Sequence, residues 1–591
     1  MSYRSIMRYA KANDLYEIVS VRSIAEEHRA KTGEDAVIAV DGVGCVWYLY
    51  RNCDFRSGGQ YKEFREACWN FVEKFSKSGV GLVFFFDGLP PAEKKEKCPD
   101  VSKNNVEKIK QNLIQLHVTS DTTTGSRRLP EGLIPSARVI FRDVPSTEVR
   151  LCVEDYYQET AQFAASCKNC LGVMSNTASF LIYKDAQSMF AFDGNYEIDG
   201  EVRMMRFRPS DLASHLGIQQ QDLPALVTFL GSDNINSEER RRVHGRLSSR
   251  YGRREHLASV VAELVKNNTV EEMCRIAFGS RWREFVDTVK ADIDHFRYKR
   301  RATVRASDKS SWSDVLQRIT AKHLSGEIPA AVLSVAKCHM LDTGAALEEL
   351  FQDEYDGMAT GDVLKSMRSR MYSVLLWESG DGPFHVEELV TRKTEVYREQ
   401  VEVQKHLPLN VEHPGLLKLW AGDVDTRWRL FSWIVGAPDS EGSVLRSLEP
   451  QCLVVPAAAL YFLRHEAKVL RCHEAEIFAV VAINVCNFTP EELAQKHVPM
   501  LDPRATFLAT LFVRTVLQLL DAAIVCGLSF PTEADCQLDA YFDGKFFHEL
   551  YLRAKNQSFS RVGSHAPWDP SYLEPIHKLL NVVEGTHTGH Q

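Results

Sequence analysis

Six carboxylates in the first half of the chain are spaced for divalent-cation chemistry. Asp41 closes a short apolar run, Ala36 to Val40, and Asp87 closes another, Val80 to Phe86. Asp233 follows a third, Leu223 to Leu230, after Gly231 and Ser232, while Glu154, Asp155 and Glu159 lie between them. Two Mg²⁺ ions about 4 Å apart need several carboxylate oxygens to hold them against hydration. So held, they activate water and stabilise the leaving oxygen of a phosphodiester. The same acids also suit plainer work, capping helices and receiving backbone N–H groups at strand ends.

The elements that must position these acids read as an α/β domain. Ala36 to Val40 and Val80 to Phe86 look like fully buried parallel strands, and ligands of open parallel sheets collect in the crevice beyond the carboxyl ends of such strands. Tyr61 to Lys77 carries Phe64, Cys68, Phe71, Val72 and Phe75 at helical spacing, which predicts a βαβ unit. The alternation continues with Val139 to Phe141 as a strand, Ser146 to Ser166 as a helix, Gly172 to Val173 as a strand start, Ala178 to Tyr183 as a short apolar element and Leu223 to Leu230 as a strand-like run. From Trp312 onward the pattern is helical, notably over Trp312 to Leu324, Gly361 to Trp377, Thr426 to Val435, Glu474 to Val485 and Arg504 to Cys526. The predicted organisation is a domain over 1–300 with a basic helical extension, a linker over 301–311 and a mainly helical domain over 312–591.

Composition narrows the function classes. The 591 residues are 44% apolar and 25% charged, as in soluble globular proteins, and Lys plus Arg (71) are outnumbered by Asp plus Glu (79). That balance argues against a wholly cationic nucleic-acid binder. Charge is nonetheless segregated: residues 240–310 hold 18 Lys plus Arg against 9 Asp plus Glu. Arg240, Arg241, Arg242, Arg246, Arg250, Arg253 and Arg254, with Arg297, Lys299, Arg300 and Arg301, make the candidate polyanion contact, although charge runs are often only solvated helix faces. The start of the chain has no apolar signal core, and Arg514, Gln518 and Asp521 interrupt Thr506 to Gly527, so no membrane span is expected. No HExxH, P-loop or GxGxxG motif occurs in a credible context.

The acidic set resembles that of the flap-endonuclease and PIN-like nucleases. That resemblance matches Asp41, Asp87, Glu159 and Asp233 to four acidic positions of the family and leaves Tyr157, Thr177 and Ser179 where three others are expected. Nuclease relatives also begin Met-Gly, whereas Ser2 follows Met1 here, and the Arg-rich run stands where their DNA-gripping hairpin would be. Hydroxyls are poor substitutes for anionic ligands, so the expectation is a pseudonuclease with no catalytic residue and no cofactor beyond a single weakly held Mg²⁺. The alternative is a residual metal-dependent, structure-specific nuclease.

A narrower resemblance rests on Ser57-Gly58-Gly59-Gln60-Tyr61, Phe84-Phe85-Phe86-Asp87-Gly88, Val153 to Glu159, Leu230 to Ile235, Gly326 to Pro329, Leu501 to Arg504 and Tyr541-Phe542-Asp543-Gly544-Lys545-Phe546-Phe547. In these segments the chain resembles the constitutive coactivators of PPAR-gamma and their PPAR-gamma-like relatives. The resemblance implies a PIN-like α/β domain with a mostly parallel sheet, followed by a mainly helical domain. It further implies a scaffold that binds proteins and RNA in gene regulation or signalling; with no secretory signal at its start, the chain is expected in the cytoplasm first and in the nucleus second. The Arg- and Gly-rich tail of longer members does not follow the helical region, so RNA is expected on the folded Arg240 to Arg305 patch. Oligomeric state is left open.

Overall fold

The computed structural model describes residues 2–584 except 87–128, 154, 195, 199, 233, 253–255, 267, 299–310, 344–358, 381–384, 393–394, 404–406, 408–410, 530–536 and 557–572. The chain forms two compact units. The first takes Met1–Tyr48, Asn70–Gly88 and Val144–Arg305, and the second Leu49–Trp69, Leu89–Asp143 and Ala306–Gln591. Leu49–Trp69, although early in the chain, is therefore part of the second unit.

The first unit is built on an eight-stranded sheet. Its strands are β1 (Glu17–Ser20), β2 (Ala36–Asp41), β3 (Val80–Phe86), β4 (Thr147–Leu151), β5 (Cys170–Met174), β6 (Met189–Phe190), β7 (Tyr196–Ile198) and β8 (Glu201–Phe207). They lie in the order β1-β8-β6-β5-β2-β3-β4, with β7 paired to β8. The contacts β2/β3, β2/β5, β3/β4 and β5/β6 are parallel, and β8 runs antiparallel to β1, β6 and β7. β2 sits between β5 and β3, and both β2 and β3 are buried almost throughout, as their continuous apolar sequences require. The α/β class with a mostly parallel sheet forms as expected, and the helix Tyr61–Lys77 has the expected bounds.

Three local expectations are corrected. Val139 to Phe141 is not a strand but the end of a helix, Leu133–Asp143, whose buried Leu133, Ala137, Ile140 and Phe141 recur at helical spacing. A three-residue apolar run cannot distinguish the two periods; the longer window can. Ser146 to Ser166 is not one helix: Thr147–Leu151 is β4, at the end of the sheet order and half-buried, followed by a helix over Tyr156–Ser166. Leu223 to Leu230 belongs to a helix, Leu223–Gly231, in which every residue is buried, so no amphipathic period shows and the run imitates a buried strand.

The second unit is mainly helical, with helices over Ser311–Leu324, Lys365–Leu375, Val424–Val435, Cys472–Asn484 and Pro503–Cys526 among others. Pro503–Cys526 is long and apolar enough to cross a membrane by length and composition alone, but 72% of its most apolar window is buried inside the fold, which makes it a core helix. The reading of this half as helices omitted a three-stranded sheet of β9 (Met340–Asp342), β10 (His385–Arg392) and β11 (Glu395–Glu402), with β10 parallel to β9 and antiparallel to β11. β11, EVYREQVE, is largely exposed and strongly charged, so it carries little of the apolar signal by which strands are read.

Candidate functional site at the rim of the parallel sheet

Asp41 is delivered to the rim by β2, whose last residue it is. The chain then turns at once into the helix Gly42–Leu49. Gly44 allows this tight return: a Cβ there would stand 2.5 Å from Asp41 Oδ2, whereas glycine lets its own N–H donate to Asp41 Oδ1 at 2.7 Å. Ser175, the residue after β5, donates its hydroxyl to Asp41 Oδ2 at 2.6 Å. The Tyr156 hydroxyl donates to Oδ1. Asp41 is only 3% exposed, and burial pushes its carboxyl above the usual range, partly offset by the bonds from Ser175, Tyr156 and Gly44.

Local backbone bonds hold these donors in place. Ser175 N–H donates to the Phe190 carbonyl at 2.9 Å, and Thr177 N–H donates to Ser175 Oγ at 3.0 Å. Tyr156 opens the helix Tyr156–Ser166, which Asp155 caps by accepting the Gln158 N–H at 3.0 Å. Glu159 Oε1 accepts the Val153 N–H at 3.0 Å and so ties the approach from β4 to that helix. Asp155 thus caps a helix, and Glu159 holds a backbone N–H with one of its oxygens.

The three positions lacking the expected acids are also accounted for. Tyr157 is 37% exposed, with ring centroids 4.6 Å from Tyr156 and 5.6 Å from Phe180. Thr177 precedes the 3-10 turn Ala178–Leu181, and Ser179 is buried within it. Asp87, Glu154 and Asp233 lie outside the described residues. Among the described residues no group of three or more His, Cys, Asp and Glu could hold a metal ion. Among the described residues, both Asp41 oxygens accept hydrogen bonds from protein donors. Sequence reasoning did not single out Tyr156 and Ser175, whose partner Asp41 lies 115 and 134 residues away.

Among the described residues of the arginine run, Arg240, Arg241, Arg242, Arg246 and Arg250 lie on the helix Ser237–Tyr251, and several of them bond to the protein itself. Arg242 pairs with Glu238 at 2.5 Å and Glu239 at 3.3 Å, Arg246 donates to the Ala277 carbonyl at 2.6 Å, and Arg241 donates to the Ser237 carbonyl at 3.3 Å. Arg240 is half-buried, Arg250 lies 5.7 Å from the Tyr251 ring, and Arg297 is 3.9 Å from Asp294. Arg253, Arg254, Lys299, Arg300 and Arg301 lie outside the described residues.

Two of the motifs quoted above meet inside the second unit. Gly544 N–H donates to the Gly59 carbonyl at 2.8 Å, and a Cβ on Gly544 would overlap the Ser57 carbonyl oxygen and stand 2.8 Å from Gly59 N. Asp543, fully buried, caps the helix Gly544–Asn556 by accepting the Phe546 N–H at 2.9 Å, and burial raises its carboxyl to about 7. Tyr61 donates its hydroxyl to the Glu131 carbonyl at 2.6 Å. These motifs are spelled by backbone packing.

No protein-family model matches the chain. Among solved structures it is similar to the catalytic core of Rad2 in complex with a DNA substrate, at 12% identity and a TM-score of 0.30, over 56% of this chain and 96% of that one. It is likewise similar to human GEN1 in complex with Holliday junction DNA, at 13% identity and a TM-score of 0.30, over 72% and 94%. Among curated proteins, the constitutive coactivator of peroxisome proliferator-activated receptor gamma of Mus musculus is 31% identical over 221 residues, 36% of this chain and 27% of that protein. The Homo sapiens protein of that name is matched over 24% of its length, so these two alignments span about a quarter of each relative. The Bos taurus protein of that name is 23% identical over 670 residues, covering 96% of this chain and 92% of the relative. Sequence similarity to the constitutive coactivator of peroxisome proliferator-activated receptor gamma thus runs, at 23% identity, along nearly the whole chain.

Proposed function

We propose that the protein is a non-catalytic scaffold, a coactivator-type adaptor that binds other proteins in gene regulation or signalling, in the nucleus and the cytoplasm. One observation carries the reading: the buried Asp41 carboxylate is occupied at both oxygens by Gly44, Ser175 and Tyr156. A two-metal hydrolase needs those oxygens for cations, because metals that activate water and stabilise a leaving group must be held by anionic ligands. Neutral hydroxyls at Tyr157, Thr177 and Ser179 add none. The names of the curated relatives support the protein-binding half of this reading. RNA is the second ligand class, through the exposed members of the arginine run, and at most one weakly held Mg²⁺ is expected at the rim.

The test is incubation of the purified chain with flap, hairpin and single-stranded substrates in Mg²⁺ or Mn²⁺. All should remain intact. Cleavage that disappears in Asp41→Ala and Asp87→Ala would establish the residual nuclease instead.

A further inference from the structure

The first unit carries a second surface, whose reading rests on the protein-binding role proposed above and names the chemistry of the partner. The helix Val270–Phe278 ends at a short turn, Gly279–Arg281, from which the helix Trp282–His295 departs. Phe278 and Phe285 stack at 4.3 Å between the two helices and hold them together. Trp282 is left half-buried at the start of the second helix, with the guanidinium carbon of Arg275 4.7 Å and that of Arg283 5.4 Å from its ring. Both arginines are exposed.

Their charged neighbours are held in ion pairs or caps, whereas Arg275 feels Glu271 and Glu272 only through longer-range attraction. Arg281 bonds Glu239 at 3.1 Å and Glu284 at 2.6 Å, Lys290 bonds Glu271 at 2.9 Å, and Glu272 is spent in the cap on Thr269. Among the described residues neither Arg275 nor Arg283 has a carboxylate within ion-pair distance. A guanidinium stacked on an indole uses its π face and keeps its in-plane N–H donors for a bidentate oxyanion. Sharing one ring places the two guanidiniums within about 10 Å of each other.

We infer that Arg275, Trp282 and Arg283 form a docking point for an acidic segment of a partner protein, each guanidinium taking one Asp or Glu carboxylate. Two exposed guanidiniums without a close ion-pair partner match two spaced carboxylates. A nucleic acid would also need stacking surface for its bases, and the indole, already faced by two guanidiniums, offers little of it. Tryptophan and arginine together are also the residue types that dominate binding energy at protein interfaces.

Fluorescence anisotropy of the full chain with a short labelled Asp/Glu-rich peptide tests this, with labelled oligouridine as the second probe. Arg275→Glu/Arg283→Glu should weaken peptide binding about tenfold or more and flatten its salt dependence, while Arg275→Lys/Arg283→Lys retains part of it. Circular dichroism and thermal melting should be unchanged, since both side chains are exposed. Failure of the native chain to bind the peptide, or an unchanged peptide affinity in the charge-reversed variant, overturns the surface. A loss confined to oligouridine overturns the partner class. Substrate cleavage in the assay above is a separate result, so the failure of either proposal is recognisable by itself.

Discussion

Two buried carboxylates, Asp41 of the first unit and Glu388 of the second, are satisfied in opposite ways. In the first, Asp41 receives two hydroxyls and one backbone N–H, all neutral. In the second, Glu388 of β10 is fully buried and receives Arg368 through Nε at 2.7 Å and Nη2 at 2.6 Å, plus the Tyr372 hydroxyl at 2.7 Å. Arg368 also donates to the Gly361 carbonyl of the short helix Thr360–Val363 at 2.7 Å, while its bonds to Glu388 tie the helix Lys365–Leu375 to the small sheet. An arginine compensates a buried anion outright, whereas neutral donors only reduce the cost of ionising it. The Asp41 carboxyl is accordingly driven upward by burial. At the rim Asp41 is surrounded as a buried, hydrogen-bonded polar group.

Breaking the ion pair should have the largest effect. Arg368→Ala leaves Glu388 buried and uncompensated, with an expected loss of about 3–5 kcal/mol in urea unfolding, whereas Arg368→Met with Glu388→Leu should lose far less. A loss under about 1 kcal/mol for Arg368→Ala would show that water or another donor reaches Glu388 and would erase the contrast.

Removing one neutral donor should cost less. Tyr156→Phe is expected to destabilise by about 1–2 kcal/mol. The pH dependence has a definite sign. Because the folded-state pKa of Asp41 is raised, the folded form holds its proton more strongly than the unfolded chain. Its contribution to stability is therefore complete below the unfolded value near 4 and falls as pH rises through the folded value. Tyr156→Phe should sharpen this, with a larger loss at pH 8 than at pH 4, measured by melting across that range. Equal losses at both would mean that the tyrosine does not act on the ionised carboxylate.

The smallest effect is expected from restoring charge. Tyr157→Glu, at an exposed position, should change the melting temperature little. Calorimetric titration should then detect at most one weak Mg²⁺ site, because Asp41 remains engaged. Tight uptake of two ions by Tyr157→Glu/Thr177→Asp/Ser179→Asp would show that the missing acids alone, and not the hydroxyls on Asp41, disable the rim.

Much of this was legible in the residues. The continuous apolar runs of β2 and β3 and the 3.6-residue period of Tyr61–Lys77 identified a parallel α/β sheet, and Asp41 at a strand end identified its rim. Where patterning failed, the cause was burial symmetry: Leu223–Gly231 is buried on every side and has no polar face to reveal a helix, while β11 is too charged to look like a strand. The roles of Tyr156 and Ser175 were illegible because a hydroxyl signals nothing until a partner 115 or 134 residues away is brought within bonding distance.

By itself, the sequence determined the sheet class, the mainly helical remainder, the family likeness and the absence of carboxylates at Tyr157, Thr177 and Ser179, because these are matters of residue type and local period. Tertiary structure alone decided that Asp41 is closed by its own neighbours, that the Ser57–Tyr61 and Tyr541–Phe547 motifs pack backbone to backbone, and that Arg275 and Arg283 share one tryptophan ring. Hydrogen bonds, desolvation and charge pairing depend on distances across the fold, which no single stretch of sequence contains.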